Sequence, residues 1–179
     1  MYLMSETKQQ IQGDIEKGEG LSRISAVANY FIVLSKKDKR PLSNLAMQKM
    51  VYFAYGWVLV MKEERLFYDR IEAWQYGPVI PSLYHQLKHY GRDRITKEIV
   101  DYDYRNDKFR KWILTKGTSV EEIVRKVWNK YSTLSTGEMV DLTHNPGTPW
   151  HRTITKKGFN SEIDDELIRD HFESINNSL

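Results

Sequence analysis

Cysteine is absent from all 179 residues. That excludes a disulfide framework, thiolate metal sites and a cysteine nucleophile, and it accords with a reducing compartment. Long apolar runs are missing too. None approaches the roughly 20 residues that a helix needs to cross a bilayer, so no membrane partner is expected. Residues 1–20 are polar, mixed in charge and without the apolar stretch of a secretory signal. These absences together give the expectation of a cytoplasmic protein. A charge excess of one sign is also lacking. The net charge is +3, with basic and acidic residues interspersed. Nucleic-acid binding is thereby permitted but not demanded, because it needs Lys and Arg gathered on one face. No Gly-rich phosphate loop occurs, and no Gly-x-Ser-x-Gly.

What is present is enough apolar material for one domain. A chain of this length buries about two-thirds of its unfolded surface without needing metals or disulfides. The 5 Trp and 11 Tyr serve first as core, and some suit an interface, where these residue types are enriched. Residues 1–20, interrupted by Gly13, Gly18 and Gly20, read as a flexible lead, and 21–176 as the domain. A helix over 22–34 carries Ile24, Val27, Ala28, Phe31 and Ile32 on one stripe. A longer one follows Ser43 as N-cap and runs to Met61, apolar on more than one side and therefore central. Gly56 within it is expected to admit another backbone.

Residues 66–74 read as extended, and Pro81 as the start of a helix that Gly91 stops. Residues 92–117 are the least regular, although Asp101-Tyr102-Asp103-Tyr104 alternates like a strand. Further helices are predicted over 118–131, from Ser135 to Leu142, and after Ser161 as a cap. The fold class is mostly α: a compact single-domain helical fold of five to seven helices, with room for a short β-ribbon.

Candidates for chemistry are weak. His85 and His89 share a helix face, but Gln86 stands where a metalloprotease helix has its Glu. His144 and His151 flank a Pro-Gly turn near Asp141 without a nucleophile beside them, so His144 is expected to hydrogen-bond locally and Trp150 to pack. Asp101, Asp103 and Asp107 read as a solvated loop. The sequence therefore offers no catalytic residue, no metal site and no cofactor site, and the chain is not expected to be an enzyme. Lys88, His89, Arg92, Arg94 and Lys97, then Lys108, Arg110, Lys111 and Trp112, form a basic stretch. It suits an acidic partner, nucleic acid or plain solvent. Gln48 and Lys49 interrupt an apolar helix and need buried partners. Glu72 is the expected partner of Lys49, with a double-mutant cycle as the test.

The most specific stretch is Ile71-Glu72-Ala73-Trp74-Gln75-Tyr76-Gly77-Pro78-Val79-Ile80-Pro81. It joins Ala28-Asn29-Tyr30-Phe31-Ile32 and the run from Leu45 through Gln48-Lys49 to Trp57, with a weaker match at Leu142-Thr143-His144 and Pro149-Trp150. In this order the segments resemble the Panacea family, the SocA-like antitoxin domain, whose phage-associated members include GepA proteins. Met47 and Met50 stand where the family more often has Leu, which keeps the apolar bulk.

The resemblance implies a small bacterial, phage or prophage protein of a toxin–antitoxin system, neutralising a cognate protein toxin mostly by direct binding. The alternatives are an adaptor that delivers a toxin to a cytoplasmic protease, and a DNA-binding regulator of its own operon. The signature residues Gln48, Lys49, Glu72, Trp74, Tyr76, Gly77, Pro78 and Trp150 are candidates for partner binding. A motif common to proteins with different toxins is better suited to the scaffold. Specificity is therefore expected around Trp74-Gln75-Tyr76, in 92–117 and at the termini.

Overall fold

The computed structural model describes residues 20–176. The flexible lead expected at 1–20 lies outside the described residues except for Gly20, which opens the first helix. Seven α-helices and five short strands occur among the described residues. In chain order these are α1 (Gly20–Lys37), α2 (Asn44–Met61), β1 (Glu72–Trp74), β2 (Gly77–Val79), α3 (Pro81–Leu87) with a 3-10 turn (Lys88–Tyr90), β3 (Asp101–Asp103) and β4 (Lys108–Arg110). Then come α4 (Ser119–Tyr131), α5 (Thr136–His144), α6 (Pro149–Lys157), β5 (Ser161–Glu162) and α7 (Asp165–Ser174). The mostly helical class expected from periodicity is the one observed.

α2 is the axis of the fold. Its start is set by Ser43, whose side chain accepts from the Ala46 amide and so satisfies one of the helix's orphan donors. Nearly all of it is buried, from Asn44 to Leu59 with Leu45 the exception. It touches α1, α3, α4, α5, α7 and β2. A helix apolar on every side can be satisfied only by neighbours on every side, and that is what surrounds it. Gly56 serves this packing in a way the sequence did not indicate. Its close neighbour is the Phe172 ring, not another backbone. A Cβ there would lie 2.2 to 2.5 Å from three ring carbons. The ring stands edge-on to Trp57 at 5.2 Å and to Tyr52 at 5.8 Å, so the missing side chain is what seats α7.

The extended segment expected at 66–74 narrows to β1, which turns back into β2 with Trp74 opposite Gly77 and Glu72 opposite Val79. β5 pairs with the other edge of β1, giving the order β2-β1-β5. Ser161 therefore belongs to a strand and does not cap the last helix. Asp164 takes the N-cap position, without a side-chain cap bond, and Asp165 and Glu166 place negative charge in the first turn. The other caps are as expected, except that the capping pattern expected at Ser119-Val120-Glu121-Glu122 begins one residue earlier, at Thr118. Pro81 opens α3, Gly91 follows the 3-10 turn at φ +54°, Thr118 caps α4, and Ser135 with Glu138 forms a capping box at α5. The irregular 92–117 segment contains a second, separate ribbon, β3–β4, with Tyr102 opposite Phe109.

Candidate functional site: a helix closing a hairpin edge

Gln48 and Lys49 sit side by side on α2, fully buried, facing the outer edge of β2. A strand edge left in the core needs hydrogen-bond partners for its amides and carbonyls. Two side chains supply them. Gln48 Oε1 accepts from the Ile80 amide at 3.0 Å, and Lys49 Nζ donates to the Pro78 carbonyl at 2.9 Å. Pro78 has no N–H, so it leaves no donor to satisfy. Gln48 Nε2 is used as well, on Asn44 Oδ1 at 2.9 Å. The helix thus stands where a fourth strand would pair on that edge. The two quoted signals, Gln-Lys and Gly-Pro-Val, are two halves of one hydrogen-bonded unit.

Gly77 completes it. Its φ is +97°, and a Cβ would lie 2.6 Å from Thr143 Oγ1 and 2.8 Å from Lys49 Nζ. Only glycine meets both conditions. Burial pulls the Lys49 ammonium down to about 7, since a charge in this interior has lost its water. Burial also lowers the pKa of His144, and the nearby Lys49 lowers it further, while Asp141 opposes.

Glu72 is not the partner of Lys49. Its Oε2 accepts from Trp74 Nε1 at 2.8 Å and its Oε1 pairs with Arg70 at 2.9 Å. The two charges belong to separate networks, one sealed and one at the surface. A Lys49→Ala, Glu72→Ala cycle read by urea unfolding is therefore expected to be additive within about 0.5 kcal/mol. A coupling above 1 kcal/mol would return Glu72 to the buried network.

Trp150 is tied to the same corner. Its Nε1 donates to the Trp74 carbonyl at 2.7 Å, and its ring stacks on His144 at 3.7 Å and 4°. The local hydrogen bond expected of His144 is missing at Nε2, which is buried without a partner among the described residues, so stacking is its visible role. Trp74 stands edge-on to Tyr84 at 5.0 Å. Tyr76, by contrast, is 60% exposed at the tip of the hairpin. Trp74, Tyr76 and Tyr84 wall a cleft of about 420 Å³, with Gln48 and Asn44 beneath and Lys88 at the rim. Of the eight signature residues, Gln48, Lys49, Glu72, Trp74, Gly77, Pro78 and Trp150 are engaged in the corner, and Tyr76 faces solvent.

The other candidates stay apart. His85 lies in α3 and His89 in the 3-10 turn, each against a tyrosine ring. Asp103 binds Asn106 and Arg110, Asp101 accepts from Gln86, and Asp107 accepts from the Tyr102 hydroxyl. Asp101 and Asp103 are thus built into the ribbon, against the solvated loop expected of them, whereas Asp107 is exposed in its turn as expected. Among the described residues, no group of three or more His, Asp or Glu is placed to hold a metal ion.

One residue of consequence was quoted in the sequence without being singled out. Asn29, fully buried on α1, accepts from the Ile99 amide at 2.6 Å and donates to the carbonyls of Ile99 at 2.9 Å and Trp112 at 2.8 Å. It clamps both legs of the β3–β4 ribbon to the helical body. The available signal was an amide on an otherwise apolar stripe, which must find buried partners.

The sequence pattern of the family described as Antitoxin SocA-like, Panacea domain matches residues 47–151, which span all eight signature residues. The chain is 30% identical to Antitoxin SocA of Caulobacter vibrioides (strain NA1000 / CB15N) over 151 residues, covering 82% of this chain and 80% of that protein. No solved structure matches the chain significantly. With Gln48-Lys49, the Gly77-Pro78 turn and Trp150 joined in one hydrogen-bonded corner inside the matched span, this chain belongs to the SocA-like Panacea antitoxin family.

Proposed function

We propose that this antitoxin neutralises a cognate protein toxin in the cytoplasm by binding it directly, as a stoichiometric partner and not as an enzyme. Family membership supports the toxin as partner. The observation that carries direct binding is where the exposed apolar surface lies. Eleven large apolar side chains are exposed among the described residues, and five of them, Val100, Tyr102, Tyr104, Phe109 and Ile113, fall within fourteen consecutive positions. Scattered exposed apolar residues are ordinary, whereas a concentrated patch marks an interaction surface. Binding energy at such surfaces is concentrated in a few aromatic and arginine side chains.

Co-expression with the product of the neighbouring gene tests this. Growth inhibition by that product alone, relief by this chain, and copurification of the two at a fixed ratio are the expected results. A harmless neighbour would remove the toxin–antitoxin reading. Relief without a complex, accompanied by a protease-dependent fall in the toxin's half-life, would replace direct neutralisation by proteolytic delivery.

A further inference from the structure

The β3–β4 ribbon is built inside out. Side chains alternate across a strand, and a ribbon lying on a protein body ordinarily turns its apolar face inward. Here Asp103 is the buried residue of β3, held by Asn106 and by Arg110 at 3.1 Å, and Asp101 reaches Gln86 of α3 at 3.1 Å. The solvent receives the rings. Tyr104 is 85% exposed and Phe109 73%. Tyr102 lies between them, edge-on to Tyr104 at 5.0 Å and to Phe109 at 5.1 Å. The alternation continues into the legs, where Ile99 and Leu114 are buried while Val100 and Ile113 are exposed.

This orientation is held in place. The Asn29 clamp fixes Ile99 and Trp112, and Arg110 lies over the Trp112 ring at 4.8 Å. The aromatic face cannot turn inward without breaking the three hydrogen bonds of Asn29 and the Gln86–Asp101 bond to α3. All three carboxylates of the ribbon have partners within it or on α3. The exposed charges around the rings are basic in excess: Arg105, Lys108 and Lys111, the last paired with Glu98 at 3.4 Å, outnumber Asp107, which accepts from the Tyr102 hydroxyl.

Building on the direct-binding reading above, we infer that the solvent-facing side of the β3–β4 ribbon is the toxin-contact surface, and that it fits a toxin face with an apolar centre and a carboxylate rim. The rings supply the desolvated centre and the basic side chains the complementary edge. Single-stranded nucleic acid also takes aromatic and basic residues, but it stacks bases on open ring faces. Tyr102 packs edge-to-face with both Tyr104 and Phe109, joining the three into one patch, which suits a protein surface better than successive bases.

The test uses the full chain and the purified product of the neighbouring gene. Tyr104→Ser with Phe109→Ser alters only exposed side chains, so the thermal midpoint is expected to stay put while affinity falls at least a hundredfold. Lys108→Glu is expected to slow association about tenfold at low salt, with the gap closing as salt rises. If wild type forms the complex and the double-serine variant binds equally well, the ribbon is not the contact, while direct binding stands. If wild type forms no complex, direct binding itself fails. If the variant keeps the toxin but loses retention of a fluorescent oligothymidine that wild type holds, the ribbon is a nucleic-acid surface and the inference is overturned.

Discussion

Gly77→Ala is expected to destabilise the protein by roughly 2–5 kcal/mol. Holding a Cβ-bearing residue at positive φ costs about 1–2 kcal/mol, and forcing a methyl group into a filled interior about 1–3 kcal/mol. Both apply at φ +97°, with Thr143 Oγ1 and Lys49 Nζ inside 3 Å of the new carbon. Neither neighbour is free to retreat. Thr143 Oγ1 is held on the Val140 carbonyl at 2.8 Å, and Lys49 has no solvent to escape into. Gly91 is the control. It also has positive φ, +54°, but nothing within 4 Å of its added Cβ, so Gly91→Ala should cost only the backbone share of about 1–2 kcal/mol. Urea midpoints at constant slope separate the two. Equal losses at both positions would mean that the corner yields and that the contact with Lys49 is not tight.

Stability should also climb on the alkaline side of neutrality because of one lysine. Lys49 has a folded pKa of about 7 against its ordinary 10.5, and burial is the cause. Between those values the unfolded chain binds the extra proton, so unfolding becomes harder as pH rises. Below pH 7 the folded state carries the full cost of a desolvated ammonium. That cost fades as the pH approaches the unfolded value. Tyr52 and Tyr55, both raised by burial, act in the opposite sense once unfolded tyrosines begin to ionise near pH 10.

The usable window is therefore about pH 7 to 9.5, over which the gain is about 3 kcal/mol. His144 and His171 have lowered pKa values, so their effect falls below neutrality, outside that window. Lys49→Met keeps the volume and removes the proton, and it should flatten the rise. A wild-type profile that is level between pH 7 and 9.5 would show that Lys49 finds water or an acid in solution.

Local chemistry was legible, and distant pairing was not. α2 could be recognised as central because apolar residues cover more than one of its faces, and Ser43, Pro81, Gly91 and Ser135 mark ends that depend only on adjacent backbone. Ser161 misled because β5 exists only by pairing with β1, nearly ninety positions away. A serine before an acidic helix carries no mark of that strand. Gly56 is set by Phe172, still more remote in the chain. Lys49 was read with an acidic side chain, but its acceptor is a carbonyl, and every residue has one. The orientation of the ribbon was hidden for another reason: alternation reveals two faces without saying which one meets the body. Asn29 and the inward aspartates decide it, and both act through folded contacts.

The side chains of Gln48 and Lys49 have one more consequence. An open strand edge is a template on which another chain can build, and it invites domain exchange or fibre growth. By occupying the Ile80 amide and the Pro78 carbonyl, the helix leaves no vacant register on β2. The hairpin therefore cannot be extended by a second copy unless α2 first gives up a glutamine and a lysine from its centre. Replacing that pair with apolar residues could preserve the volume of the core and still produce a stickier protein.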